Sequence, residues 1–278
     1  MTQRLTGLDS KAVIKYVVDR QNDDGGYTFC QGGHSNAQDT FYGLSILQWL
    51  DAEFPNKAKT IKWLDQLEVD TIYSLFYVTK SKLLCGVDND QFLKEQILTL
   101  GDPSNYIHST DIFSEASSEF TPIAMALELA RLFNIHTNDG KVADWILKFR
   151  NPHDGGFGSK GKSNITSTFY AIQSLSYLRY DLTSLSSALM FLRACEKPNG
   201  GFTAIPINFM PYVEYTYHGI MSLSLLGQQS KYPTQTMQFL LECQNGNGGF
   251  ARSTLGISTF ENTYQVVAIM RILSNEGN

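Results

Sequence analysis

The sequence writes nearly the same phrase four times: QNDDGGY from Gln21, NPHDGGF from Asn151, EKPNGGF from Glu196 and QNGNGGF from Gln244. The double glycines begin at 25, 155, 200 and 248, so the last two steps are 45 and 48 residues. The first gap, 130 residues, fits two further units whose loops have lost the glycines. Six units with a period in the forties, if built from helices, restrict the chain to an array of helix pairs.

Each unit reads alike. A helix with one polar stripe comes first, over 11–21, 57–68, 91–100, 141–150, 185–196 and 234–244. Its apolar residues recur at three and four, which predicts one buried face and one wet face. After the loop comes a helix with hardly any charge, over 40–50, 74–84, 121–133, 167–178, 216–226 and 263–273. A helix apolar nearly all round is enclosed by others. Six wet helices alternating with six enclosed ones predict one all-α domain over 1–278. That domain is an α/α toroid with the enclosed helices as an inner ring and no sheet. The glycines are expected to end each wet helix in a left-handed turn, and the following Phe or Tyr to plug into the core.

Composition removes several function classes. The net charge is −5 with no basic run, so no nucleic-acid partner is expected. No apolar stretch reaches membrane-spanning length and the N-terminus does not resemble a signal peptide, so the expected location is cytoplasmic. Cys30, Cys85, Cys195 and Cys243 contain no CxxC pair, so neither a disulfide framework nor a zinc ribbon is indicated.

The starts of the enclosed helices stack into a second register. Thr40, Thr121, Thr168, Thr216 and Thr263 share one place, and Glu119, Glu214 and Glu261 stand two residues before it. Acids suit helix N-termini, where N–H groups lack partners and the helix dipole favours negative charge. Parallel inner helices would also bring these carboxylates to one mouth, with Gln38, Tyr73 and Thr166 between them. Capping and chemistry are both open readings. His218 stands four residues after Glu214, on the same helix face.

These motifs resemble the α/α toroid shared by protein prenyltransferase β-subunits and class II terpene cyclases such as squalene–hopene cyclase. The likeness to their Q-x-x-x-GG-F repeat runs from about Leu8 to Leu273. It implies an apolar, isoprenoid-type ligand in a central aromatic cavity. It also implies a protein partner, by analogy with prenyltransferase heterodimers.

The chemical motifs of that family are altered here. Prenyltransferases hold zinc with an Asp-x-Cys pair and a His, and the matching positions are Glu214, Thr216 and Asn262, so no zinc is expected. No Lys or Arg follows Gly200 in GGFTAIPINFMPYVEY, where the family places its diphosphate clamp. The cyclase motif D-x-D-D-T is matched by Asn36-Ala37-Gln38-Asp39-Thr40, which puts Gln38 at the proton-donor position. Asp88-Asn89-Asp90 reads as a solvated turn rather than a diphosphate-ionising motif.

The remaining catalytic candidates are Glu214, Glu261 and Glu119 as proton donors, with His218 as their partner. Tyr42, Tyr73, Tyr77, Tyr170, Tyr217 and Tyr264, with Gln38 and Asp39, are the expected substrate lining. No cofactor is expected; magnesium stays open, with nothing in the sequence to support it. Cys30 and His34 form a C-x₃-H pair with two ligands unassigned, and Lys160, Lys162 and Arg252 are expected to be solvated. The expected activity is cyclisation or isomerisation of an isoprenoid. The alternatives are a divergent prenyltransferase without zinc, and a non-catalytic binder of a lipid or prenyl group.

Overall fold

A computed structural model describes residues 7–88, 91–107, 118–137 and 139–276. Twelve α-helices occur among them. The polar-striped helices are α1 (Ser10–Val18), α3 (Lys57–Leu64), α5 (Gln91–Leu100), α7 (Asp139–Leu147), α9 (Ser186–Cys195) and α11 (Pro233–Glu242). The apolar helices are α2 (Ala37–Trp49), α4 (Ile72–Leu84), α6 (Thr121–Leu132), α8 (Ile165–Tyr177), α10 (Val213–Leu225) and α12 (Phe260–Glu276). The pairing expected from the repeat is therefore present in full. Burial follows it: α1 encloses only Val13, Tyr16 and Val17, whereas α2 buries every residue from Asp39 to Leu47.

The chain forms two compact units. Unit 1 comprises Met1–Asp70, Ser74–Asp90 and Pro233–Asn278; unit 2 comprises Thr71–Tyr73 and Gln91–Tyr232. In unit 1, α12 packs on α2, and α1 and α11 cover them. In unit 2, α8 packs between α6 and α10, with α7 and α9 beside it.

The expectation of no sheet needs one correction. Phe250–Ala251 (β1) and Ser258–Thr259 (β2) pair antiparallel, as Phe250↔Thr259 and Ala251↔Ser258. The role assigned to the glycines also changes. The polar-striped helices end well before them, at Val18 and Leu147 in the first and fourth pairs. The residues between form single antiparallel bridges across the loop, Gln21↔Tyr27, Arg150↔Phe157, Glu196↔Phe202 and Gln244↔Phe250. The first glycine of each pair is left-handed, as expected, but its second constraint is packing. A Cβ on Gly248 (φ +92°) would lie 2.2 Å from the Ala12 carbonyl oxygen, and one on Gly25 2.5 Å from the Thr60 nitrogen. The loop is thus the seat on which another polar-striped helix rests.

The aromatic residue after the glycines does plug into the core: Tyr27, Phe157, Phe202 and Phe250 are fully enclosed. The threonine of the next helix holds it there. Thr40, Thr168, Thr216 and Thr263 accept the N–H groups of Tyr27, Phe157, Phe202 and Phe250 at 3.0–3.1 Å. The same hydroxyls donate to the carbonyls of Asn36, Asn164, Tyr212 and Thr259 at 2.7–2.8 Å. Both partners are backbone groups that burial obliges to be paired, which explains why threonine recurs.

Candidate functional site

The helix caps are residues other than the glutamates. Asn36 and Asn164 accept the N–H groups of Asp39 and Ser167 at 2.8 Å, and Thr259 that of Asn262 at 3.0 Å. Asn164, in the triplet Asn164-Ile165-Thr166, is therefore a helix cap. Phe120 and Tyr212 occupy the cap positions of α6 and α10 and make no side-chain cap bond. The capping reading fails for Glu119, because α6 begins two residues later and its carboxylate bonds elsewhere. Glu214 and Glu261 lie in the first turns of α10 and α12, where the dipole favours their charge.

In unit 1, α2, α4 and α12 build a continuous aromatic face. The Tyr42 ring is 4.8 Å from Tyr264 and 5.9 Å from Tyr77, and Phe41 contacts Phe76, Tyr77 and Tyr264 at 5.7–6.1 Å. Trp49 extends it, with its ring 4.7 Å from Tyr264. These spacings are those of interacting aromatic pairs. The Tyr42 and Tyr77 hydroxyls lie 3.4 Å apart and Gln38 donates to Tyr42 at 3.4 Å. Burial pushes the Tyr42 phenol well above its ordinary range, with Tyr77 and Glu261 adding to the effect. Phe41, Tyr42, Phe76 and Tyr77 keep 6–9% of their surface, whereas the plug residues Tyr27 and Phe250 keep none. All four are buried, and the face opens towards solvent at Trp49 and Tyr264, which are half-buried.

Two cations stand on this face that sequence reading did not single out. The Lys80 ammonium is 5.7 Å from the Phe41 ring and 5.6 Å from Phe76. The Arg271 guanidinium is 5.2 Å from the Trp49 ring. Positions 73, 77 and 80 on α4, and 264 and 271 on α12, recur at helical spacing, a signal readable from sequence once the ring-bearing face is known.

Asp39 is turned to a different task from the expected lining. It accepts from the Phe29 N–H at 3.1 Å and the Asn36 side chain at 2.8 Å, tying down the loop before α2. Burial pushes its carboxyl upward, and those two bonds oppose the shift. Gln38 and Glu261 are exposed, and Glu261 accepts from Gln265 at 3.4 Å. Asn262, nearly buried, donates to Gln265 at 3.2 Å and accepts from Thr259 at 3.0 Å. Cys30 and His34 are both exposed in their loop.

In unit 2 the polar groups are gathered around α8. Glu119 accepts from Ser167 at 2.9 Å and from Ser118 at 3.3 Å through Oε2. Its Oε1 is buried with no hydrogen-bond partner among the described residues. The His218 ring stacks on Phe169 at 5.0 Å, flanked by Tyr170 and Tyr217, and its Nδ1 lies 3.2 Å from the Thr166 hydroxyl. Burial drives the His218 pKa down to about 3, so the ring is neutral near pH 7. Thr166 is thus its observed partner. Tyr170, Tyr217 and Glu214 are half-buried, and Tyr73, on α4, is likewise half-buried. Further along α6 and α8, Tyr177 donates to Glu128 at 3.0 Å beside a 540 Å³ cavity that Arg131, His136 and Arg179 also line.

Thr216 bonds the backbone of Phe202 and Tyr212, and the Asn262 side-chain oxygen accepts from the Thr259 hydroxyl. Among the described residues no three His, Cys, Asp or Glu side chains cluster as metal ligands. Lys197 holds the loop after Gly200 by donating to the Pro206 carbonyl at 2.8 Å, and that loop exposes Ile207, Phe209 and Met210. Lys160, Lys162 and Arg252 are exposed. Asp88 is exposed, while Asn89 and Asp90 lie outside the described residues. No helix among the described residues is long and apolar enough to cross a membrane.

The model of the prenyltransferase alpha-alpha toroid domain matches residues 1–76 and 91–278. Among solved structures the chain is similar to Candida albicans protein geranylgeranyltransferase-I complexed with GGPP, with 15% identity and a TM-score of 0.74 over 97% of this chain and 92% of that one. It is also similar to a single-substitution variant of the type II terpene cyclase MstE from Scytonema in complex with its product merosterolic acid A, with 11% identity and a TM-score of 0.59 over 96% of each chain. No curated protein matches the chain.

Proposed function

The chain belongs to the prenyltransferase α/α-toroid domain family, and from that premise we propose that it binds an apolar isoprenoid against the aromatic faces of its apolar helices and transfers a proton to or from it through a glutamate. The observation that carries the binding reading is the partial exposure of Trp49 and Tyr264 at the edge of the continuous aromatic face. Rings exposed at such an edge present apolar area to a ligand, with few polar groups to fix its orientation. Both solved relatives were captured with isoprenoid-type ligands, GGPP in one and merosterolic acid A in the other.

Glu119 is the best placed of the three proton-transfer candidates. Ser167 and Ser118 fix one carboxyl oxygen, and the other is buried without a partner among the described residues. A buried acceptor with no partner among the described residues is costly, and a ligand that brings a donor or a transferable proton would satisfy it. Glu214 and Glu261 remain candidates at their first turns. A zinc-dependent transferase is disfavoured by the commitments of Thr216 and Asn262. Binding without turnover is a second reading, favoured by His218, which is neutral and already paired with Thr166.

Titration with geranylgeraniol, followed by tryptophan fluorescence, tests the binding reading. A saturable change that Trp49→Phe removes is expected; no saturable binding would defeat the reading. Product analysis by mass spectrometry then separates cyclisation or isomerisation, which leaves mass unchanged, from transfer to an acceptor.

A further inference from the structure

Unit 2 holds a cavity of 540 Å³ at the far end of α6 from Glu119. Glu119 precedes the first residue of that helix, so its twelve residues, roughly 18 Å, lie between the two. The volume is in the range of small-molecule sites, about 300–1,000 Å³. The floor is apolar, with Leu127 and Ala130 from the end of α6, Ile135 from the loop that follows and Tyr177 from the end of α8. Arg131, His136 and Arg179 line it too, and all three are exposed.

Structural arginines in this chain are tied to oxygen atoms. Arg20 donates to the Tyr16 and Phe29 carbonyls, Arg150 to the Ser184 carbonyl and the Ser187 hydroxyl, and Arg193 to Glu196 and the Gln229 carbonyl. Among the described residues Arg131 and Arg179 make no side-chain hydrogen bond or ion pair of that kind. Arg131 lies over the Tyr177 ring at 5.9 Å, while the Tyr177 hydroxyl donates to Glu128. The ends of α6 and α8 do not need either guanidinium. The Ala130 and Arg131 carbonyls accept the N–H groups of Ile135 and Asn134 at 2.8 and 3.3 Å, and those of Leu175 and Ser176 accept from Tyr180 and Arg179 at 2.9 and 3.0 Å. Backbone conformation is a second, independent observation. The residue two places after α2, α4, α6, α8 and α10 is left-handed in each case: Asp51, Gly86, Asn134, Arg179 and Gly227, with φ from +52° to +78°. Gly, Asn and Asp suit that conformation and arginine does not. A long cationic side chain is therefore held at the cavity against the local backbone preference, and such outliers gather at binding sites.

We propose that this cavity is a separate site for a small, non-isoprenoid anion, a carboxylate or phosphate monoester on a compact apolar body, with Arg131 and Arg179 gripping the anionic oxygens and Leu127, Ile135 and Tyr177 receiving the body. The planar guanidinium fork matches the oxygens of either group. Two acids stand near. Asp139 accepts from the Thr137 hydroxyl in the first turn of α7, where the helix dipole offsets its charge, and Glu128 accepts from Tyr177 at 3.0 Å. The site shares no residue with the isoprenoid-binding reading above and does not depend on it.

The test is equilibrium dialysis of the full chain with phenyl phosphate, benzoate and phenol. The wild type is expected to bind one of the two anions about tenfold or more tightly than phenol, with the preference shrinking as salt rises. Which anion is preferred distinguishes phosphate from carboxylate recognition. Arg131→Gln and Arg179→Gly should each weaken anion binding by about tenfold, and neither should alter geranylgeraniol binding. Arg179→Gly should at the same time raise the urea midpoint, because glycine suits the left-handed turn. Loss of binding in a more stable protein separates a ligand-binding arginine from a structural one. Lys160→Gln, in an exposed loop, should have no effect. Anions bound no more tightly than phenol, anion binding unchanged in both arginine variants, or a fall in the Arg179→Gly midpoint together with lost binding would each overturn the inference.

Discussion

The Thr216 hydroxyl accepts the Phe202 N–H at 3.1 Å and donates to the Tyr212 carbonyl at 2.8 Å, linking a loop and the helix that follows it through one atom. Removing that atom leaves a buried N–H without a partner. Thr216→Val should therefore cost about 1–3 kcal/mol of stability, and Thr216→Ser should recover most of it. Urea unfolding checks both. Equal stability of the valine variant and the wild type would show that the loop re-pairs its backbone.

Gly219 is where that plug meets α10. A Cβ there would lie 2.4 Å from Cδ1 of Phe202, which is itself fully enclosed. Gly219→Ala should destabilise by about 1–3 kcal/mol through overpacking. Gly219→Ala combined with Phe202→Leu should lose less than the two separate costs added, because the shorter side chain gives the new methyl room. Strict additivity in a double-mutant cycle would argue that the clash is relieved elsewhere.

His218 predicts a pH dependence. Its folded pKa, about 3, lies below the unfolded value of 6.5, so the unfolded chain takes up the proton first. The stability carried by the neutral ring is present above the unfolded value and is lost as pH falls towards the folded one. Between pH 7.5 and 5.5 the loss should be roughly 1 kcal/mol, read from denaturant midpoints. His218→Gln should remove this part of the slope, and an unchanged slope would show that the ring is protonated in the folded state.

Glu119→Gln keeps the shape and a hydrogen-bonding oxygen for Ser167 and Ser118, but not the ability to give or take a proton. Once a substrate is found, turnover should fall by about a hundredfold or more, in keeping with general acid–base catalysis, with binding nearly unchanged. Glu214→Gln and Glu261→Gln, assayed beside it, show whether the chemistry lies at either of those positions. Wild-type turnover in all three would leave the face as a binding surface without proton transfer from these glutamates.

Much of the architecture was legible because it is written in local chemistry. Period, polar stripe and apolar helix fix twelve helices in six pairs, and a double glycine before Phe or Tyr marks a left-handed turn and a plug, as at Gly248 and Phe250. Those signals depend on residues within one or two turns of each other. The task of Thr40 was not legible, since its partner Tyr27 lies thirteen residues upstream across a loop. Nor was the second constraint on Gly25, which comes from backbone atoms of Lys59 and Thr60 on a different helix. At the candidate site, sequence named Tyr42, Tyr77 and Tyr264 as lining but passed over Lys80 and Arg271, because a lysine or arginine on a helix reads as solvated until its neighbours are known. Only the approach of α2, α4 and α12 puts those charges over Phe41, Phe76 and Trp49. Sequence by itself settled which segments are helical and which faces are apolar, since periodicity and steric preference act locally. Tertiary structure alone decided which carboxyl oxygen is buried without a partner among the described residues and which cations meet aromatic rings, since both depend on contacts between distant parts of the chain.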